Sequence, residues 1–142
     1  MGARDERLYF RIQRTAHLLQ KAADRRLLAV AGITTAQSAV LTILRGSRGA
    51  TQRDVANALG INESGMTALV ARLHKVGLIT RTRSADDPRA WRLDVTEAGE
   101  TTSRLATGAF EEINAMIDAV LDDADCSVIA QSMERIWRFA KP

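Results

Sequence analysis

Cysteine is almost missing from this sequence, since Cys126 is the only one among 142 residues. A single thiol cannot form an internal disulfide, so the chain is predicted to work in the reducing cytoplasm. Long apolar runs are missing as well, because none approaches the roughly 20 residues that a membrane span needs. The first ten residues, MGARDERLYF, lack the apolar stretch of a secretory signal. These absences predict a cytoplasmic protein with no membrane partner.

Groups that carry metal or covalent chemistry are equally scarce. The two histidines, His17 and His74, and the one cysteine form no cluster with metal-ligand spacing. The sequence has no glycine-rich phosphate loop and no Ser/His/Asp grouping with supporting context. We therefore predict no catalytic residue, no metal site, no cofactor and no enzymatic activity.

What the sequence does have is an uneven charge. Residues 1–96 carry 16 Lys/Arg against 8 Asp/Glu, whereas residues 97–142 carry 4 against 9, which together give the net charge of +3. A basic body joined to an acidic segment indicates a polyanionic partner for the first part. A merely solvated basic face is the alternative, so charge alone does not decide the function.

Apolar spacing and single glycines divide the chain into helices. The first is predicted over residues 5–31, and it is long enough that part of it should pack against a second subunit. A second helix begins at Thr34 or Thr35 and runs to about residue 45. The segment Thr51-Gln52-Arg53-Asp54 is a capping box that opens a short third helix, and Gly60 ends it. A fourth helix covers residues 62–76, with Met66, Leu69, Val70, Leu73 and Val76 as its buried stripe.

The pattern then changes its period. Residues 78–83 and 91–95 predict two strands, and Asp86-Asp87-Pro88 between them predicts a turn, so together they form a hairpin. Thr96 caps another long helix, and Asp122 caps the last one. The fold class is mainly α with a small β-hairpin.

Two short helices joined by a glycine-containing turn, followed by a hairpin, describe a winged helix-turn-helix, whose second helix enters the major groove of double-stranded DNA. Opposite the buried stripe, this helix carries mostly small or polar side chains: Glu63, Ser64, Thr67, Ala68, Ala71, Arg72 and Lys75. The alternative is a solvated face on a structural helix.

The hairpin adds Arg81, Arg83, Arg89 and Arg92. Arg89 at the tip suits a narrow minor groove, and Asp87 either holds the tip in shape by pairing with a neighbouring arginine or forms an exposed ion pair with Arg89.

Three segments resemble the multiple-antibiotic-resistance regulator (MarR) family. The run DPRAWRLDVTEAG at residues 87–99 is similar to the family's wing motif, and LVARLHKVGLI at residues 69–79 resembles the end of its recognition helix. ITTAQ at residues 33–37, with Val40-Leu41, is similar to the start of its second helix. Pro88, Val95, Ala68 and His74 depart from common family residues, so a base preference does not transfer.

The resemblance implies a single domain over residues 1–142 that works as a homodimer. The interlocking dimerisation helices would be residues 1–32 and 97–142, and the winged helix-turn-helix would be residues 33–96. The implied DNA contacts are Ser64, Thr67 and Ala68 to bases, Arg89 to the minor groove, and Thr51, Gln52 and Arg53 to the backbone. Arg72 and Lys75 lie further along the same helix, where they are better placed to contact phosphates.

The resemblance also implies a small phenolic or anionic effector. Tyr9, Ile12, Arg14 and His17 on the first helix are candidates to line its site, with ordinary surface or core positions as the alternative. Some relatives sense oxidants through a cysteine near the start of the first helix, whereas Cys126 begins the last predicted helix, so that mechanism does not carry over. We predict a repressor that occludes a pseudo-palindromic operator. The alternatives are a winged-helix protein-interaction module without DNA binding and, more remotely, a small enzyme.

Overall fold

The computed structural model describes residues 7–142 and contains six helices and three short strands within that range. The helices are α1 (Leu8–Ala31), α2 (Thr35–Gly46), α3 (Gln52–Leu59), α4 (Glu63–Lys75), α5 (Glu97–Asp118) and α6 (Asp123–Ala140). The strands are β1 (Ala50–Thr51), β2 (Ile79–Arg83) and β3 (Trp91–Val95). The predicted start of the first helix at Asp5 lies outside the described residues. The chain forms two compact units, one ending at Ala109 and the other Phe110–Pro142.

Side-chain caps set the starts of α2, α3 and α6, as the sequence predicted. Thr34 and Gln37 form a capping box at the start of α2, and Thr51 and Asp54 form another at the start of α3. The Asp122 carboxylate accepts the backbone N–H of Asp125 at the start of α6. Each cap satisfies backbone donors that have no partner within the helix, which is why the helices begin at these residues.

The three strands form one antiparallel sheet in the order β1-β3-β2. Strands β2 and β3 pair from Ile79 opposite Val95 to Arg83 opposite Trp91, which confirms the predicted hairpin. Strand β1 pairs Ala50 with Leu93 and was not predicted. Two residues are too few to show a strand period, so only the partner strand reveals it.

The core of the first unit lies between the end of α1, α2, α3, α4 and the hairpin. Its largest fully buried side chains come from these elements and from the α1–α2 loop: Leu27, Ile33, Val40, Leu41, Leu44, Val55, Met66, Val70, Leu73, Ile79 and Leu93. Val76 was predicted to belong to the buried stripe of α4, and this was wrong, because 52% of it is exposed. It follows the last helical residue, Lys75, so it no longer keeps the helical phase.

Large apolar side chains stay exposed outside this core. The first half of α1 exposes Leu8, Tyr9, Phe10, Leu18 and Leu19. In the second unit α6 has no buried residue, and it exposes Val128, Ile129, Met133, Ile136, Trp137 and Phe139. Within residues 7–142 no single helix is long and apolar enough to cross a membrane, and α1 and α2 reach that standard only together, across a bend of 69°.

Candidate nucleic-acid interface

Helix α4 separates its buried and exposed faces as predicted. Met66, Val70 and Leu73 are buried on one side. The opposite side exposes all seven predicted residues: Glu63, Ser64, Thr67, Ala68, Ala71, Arg72 and Lys75. The first turns carry short side chains that leave room for close approach, and the basic residues lie in the last turns, where cations also interact favourably with the helix dipole.

Polar contacts join the start of α3 to the exposed face of α4. The Gln52 side-chain amide donates to the Thr67 hydroxyl at 3.2 Å, and Thr67 donates in turn to the Glu63 carbonyl at 2.8 Å. Arg53 lies 3.7 Å from the Glu63 carboxylate, and both side chains are largely exposed. Such a pair is worth under about 1 kcal/mol. These contacts bring the residues predicted for the DNA backbone next to those predicted for the bases.

The tip of the hairpin is shaped by Asp87. Its carboxylate accepts the backbone N–H of Arg89 at 2.9 Å, and its carbonyl accepts the N–H of Ala90. Asp87 therefore holds the tip through the backbone, and the ion pair of the wing is formed by Arg92 and Asp86 at 3.1 Å instead. The Arg89 side chain has no hydrogen bond or ion pair within residues 7–142, and Arg89 is exposed.

Arg92 has a structural role that the sequence did not reveal. Its guanidinium donates to the Gly49 carbonyl at 3.2 Å, to the Ser84 hydroxyl at 3.3 Å and to the Asp86 carboxylate. It thereby ties the loop before β1 to the turn of the hairpin. With three acceptors already engaged, Arg92 is not one of the free charges of this surface.

The other two strand arginines lie against one aromatic ring. The guanidinium carbon of Arg83 is 3.9 Å from the centroid of the Trp91 ring, and that of Arg81 is 4.7 Å away. Both distances fall within the range of cation–π attraction.

A cleft of about 660 Å³ separates α3 and α4 from the hairpin. Its walls include Gln52, Arg53, Thr67, Asp87, Arg89 and Trp91. The structure thus brings together most of the residues predicted to contact DNA. Six of the predicted residues do not line the cleft: Ser64, Ala68, Arg72 and Lys75 on α4, and Arg81 and Arg83 on β2.

The capping box of α3 makes stability depend on pH. The Thr51 side chain, and then its backbone N–H, hydrogen-bond Asp54 and lower the pKa of that carboxyl below its ordinary value. A carboxyl group whose pKa is lower in the folded state stabilises that state at pH values above its unfolded-state pKa. This contribution is lost as the pH falls through the folded-state pKa.

Asp54→Asn is therefore expected to destabilise the protein at neutral pH, with a smaller difference from wild type in acid. Thermal unfolding of both proteins between pH 7 and pH 3 checks this. A difference that stays constant across that range would contradict the role given to the carboxylate. Thr51→Ala should cost about 1 kcal/mol at neutral pH through loss of the cap.

The four predicted effector residues lie on the first half of α1. Tyr9, Arg14 and His17 are exposed, and Ile12 is half-buried. None of them lines the cleft beside α4. A site made by these residues stays a prediction.

Comparison with known proteins finds a family model that matches this surface. The model of the MarR family matches residues 31–90, which run from the end of α1 to the hairpin tip. No curated protein matches the chain.

Solved structures match over almost the whole length. The PcaV transcriptional regulator from Streptomyces coelicolor, solved with its natural ligand, is 27% identical over 94% of this chain and 92% of its own, with a TM-score of 0.76. The transcriptional repressor CouR, bound to a 23-mer DNA duplex, is 26% identical over 96% of both chains, with a TM-score of 0.86. MepR of S. aureus in a DNA complex is 23% identical over 92% of this chain and 96% of its own, with a TM-score of 0.82, and it supports the fold alone.

Proposed function

We propose that this chain is a member of the MarR family of transcriptional regulators, whose model matches residues 31–90, and that it is a sequence-specific repressor that binds a pseudo-palindromic operator in double-stranded DNA as a homodimer. The observation that carries the proposal is the exposed face of α4 beside a hairpin whose tip carries Arg89, an exposed arginine without an ion pair within residues 7–142. The likeness to CouR, which was solved as a repressor on a DNA duplex, supports it.

The charges of this surface suit a phosphate backbone. Arg72, Lys75, Arg81, Arg83 and Arg89 are all exposed, and none of them forms an ion pair with an acid within residues 7–142. By contrast, Arg45 on α2 is paired with Glu100 at 2.8 Å. Unpaired cations along one face supply the electrostatic part of DNA binding. Ser64, Thr67 and Ala68 are short enough to approach base edges, while Thr51, Gln52 and Arg53 lie where backbone contacts are expected.

Exposed apolar surface supports the dimer. The first half of α1 and the whole of α6 leave large apolar side chains in solvent, including Phe10, Ile129 and Trp137. Large apolar side chains clustered on the exposed part of a helix usually mark an interaction site. We propose that residues 1–32 and 97–142 form this interface with a second copy, and that residues 33–96 read DNA within one domain.

A small effector fits the same proposal. PcaV was solved with its natural ligand, and a phenolic or anionic molecule is the class that Tyr9, Ile12, Arg14 and His17 would suit. We also propose that the protein acts in the cytoplasm, without catalytic activity of its own.

The proposal is tested by fluorescence anisotropy on a labelled duplex from upstream of the protein's own gene, at physiological salt with excess random competitor. Salt must be fixed because it sets the non-specific background. The expected result is saturable binding that survives the competitor, with two chains per duplex. Loss of binding on addition of competitor would place the operator elsewhere, and no binding to any duplex would favour a protein-interaction module.

A further inference from the structure

The stem of the hairpin carries an arrangement that the winged-helix reading does not require. Trp91 on β3 lies directly opposite Arg83 on β2, and Arg81 lies two residues earlier on the same strand. Both guanidinium groups lie near the same indole ring, with their central carbons 3.9 Å and 4.7 Å from its centroid. Two like charges are therefore held close together.

Within residues 7–142 no acidic side chain is paired with either of these two arginines. Their side chains form no hydrogen bond or ion pair in that part of the chain, whereas Arg92 on the neighbouring strand is paired with Asp86. Both arginines are exposed. Cation–π attraction offsets part of the repulsion between them but leaves their N–H donors unused. An arrangement with two fixed, unneutralised guanidinium groups is suited to an anion with several acceptor oxygens.

The position of the Trp91 ring indicates which anion the two arginines would bind. Trp91 also lines the cleft between α4 and the hairpin, so the ring that contacts the two arginines borders the proposed DNA surface. We propose that Trp91 is a positioning residue that fixes the guanidinium groups of Arg81 and Arg83 for binding backbone phosphates of the DNA beside the wing. This inference rests on the proposed function. It adds that the Trp91 ring, as well as the charge of the two arginines, determines how the hairpin binds the DNA backbone.

The competing explanation is that Trp91 only contributes apolar packing near the turn of the hairpin, while the arginines act through their net charge. Trp91→Leu separates the two explanations because it keeps an apolar side chain and both charges while removing the aromatic face. Trp91→Phe keeps a ring with a weaker cation–π attraction. Circular dichroism and the melting temperature show that each variant is folded.

The measurement is the salt dependence of operator binding for wild type, Trp91→Leu and Trp91→Phe. The slope of log K against log salt is negative, and each lost phosphate contact reduces its magnitude by about 0.9. Loss of one contact per wing therefore reduces the magnitude by about 2 for a dimer. We expect that fall in Trp91→Leu, with roughly tenfold weaker binding at physiological salt. Trp91→Phe should lie between Trp91→Leu and wild type. An unchanged slope and affinity in folded Trp91→Leu would overturn the proposal.

A second comparison leaves Trp91 in place. Arg83→Lys keeps the charge but loses the planar group that stacks, and Arg45→Lys makes the same change at an arginine on α2 that is paired with Glu100 instead. We expect Arg83→Lys to reduce both slope and affinity and Arg45→Lys to leave them unchanged. Equal effects of the two variants would overturn the inference. Failure of the proposed function looks different, because wild type itself would then show no competitor-resistant binding.

Discussion

Gly99→Ala is expected to lower the free energy of unfolding by about 2–3 kcal/mol. Gly99 is buried in the first turn of α5, where a Cβ atom would overlap the backbone carbonyl oxygen of Leu78 and the side chain of Val95. Backbone cannot rotate aside as a long side chain can. The Leu78 carbonyl is also fixed, since it accepts the N–H of Thr96 at 3.1 Å.

Gly108→Ala is the matched control, because it lies on the same helix and a Cβ there would meet nothing within 4 Å. Replacing glycine within a helix at an open position should stabilise the protein by about 0.5–1 kcal/mol. Denaturant unfolding of both variants at one protein concentration measures the two effects, since dimerisation makes stability depend on concentration. Equal stability of the two variants would show that α5 does not approach the base of the hairpin so closely.

Arg89→Ala is expected to weaken operator binding by about 1–3 kcal/mol while leaving the fold intact. The Arg89 side chain makes no hydrogen bond or ion pair within residues 7–142, so its removal breaks no contact that stabilises the described structure. Its backbone N–H is held by Asp87, which fixes the point from which the side chain leaves the wing. An arginine placed there reaches the narrow, strongly negative minor groove.

The same anisotropy assay, with the melting temperature recorded for each protein, measures this effect. Arg45→Ala on α2 removes an equal charge at a position that is paired with Glu100 and does not line the cleft, and it should change operator affinity little. An Arg89→Ala protein that is folded and binds the operator as tightly as wild type would contradict the role of the wing.

Local features of this fold could be predicted from the sequence, because helix caps and the spacing of apolar residues depend on residues that are close together in the chain. The capping box of Thr51 and Asp54, the cap at Asp122 and the strand over Trp91–Val95 are all confirmed. What could not be predicted depends on partners far along the chain. Strand β1 exists only because Ala50 pairs with Leu93.

The same limit applies to the candidate site. Spacing placed the exposed face of α4 correctly, and the structure confirms that all of its predicted residues are exposed. Spacing also grouped Arg92 with the other hairpin arginines, although its guanidinium reaches back 43 residues to the Gly49 carbonyl. The stacking of Arg81 and Arg83 on Trp91 requires the register of the hairpin, which a turn signal alone does not fix.

Hydroxyl-radical footprinting of the protein on its operator tests the central claim most directly. Two winged modules related by two-fold symmetry should protect two equivalent half-sites whose centres lie about one helical turn, roughly 10 base pairs, apart. Protection should extend into the minor groove flanking each half-site, where the two copies of Arg89 would lie. A single unsymmetrical patch of protection, or none on any duplex that the protein binds, would contradict a dimeric winged-helix regulator.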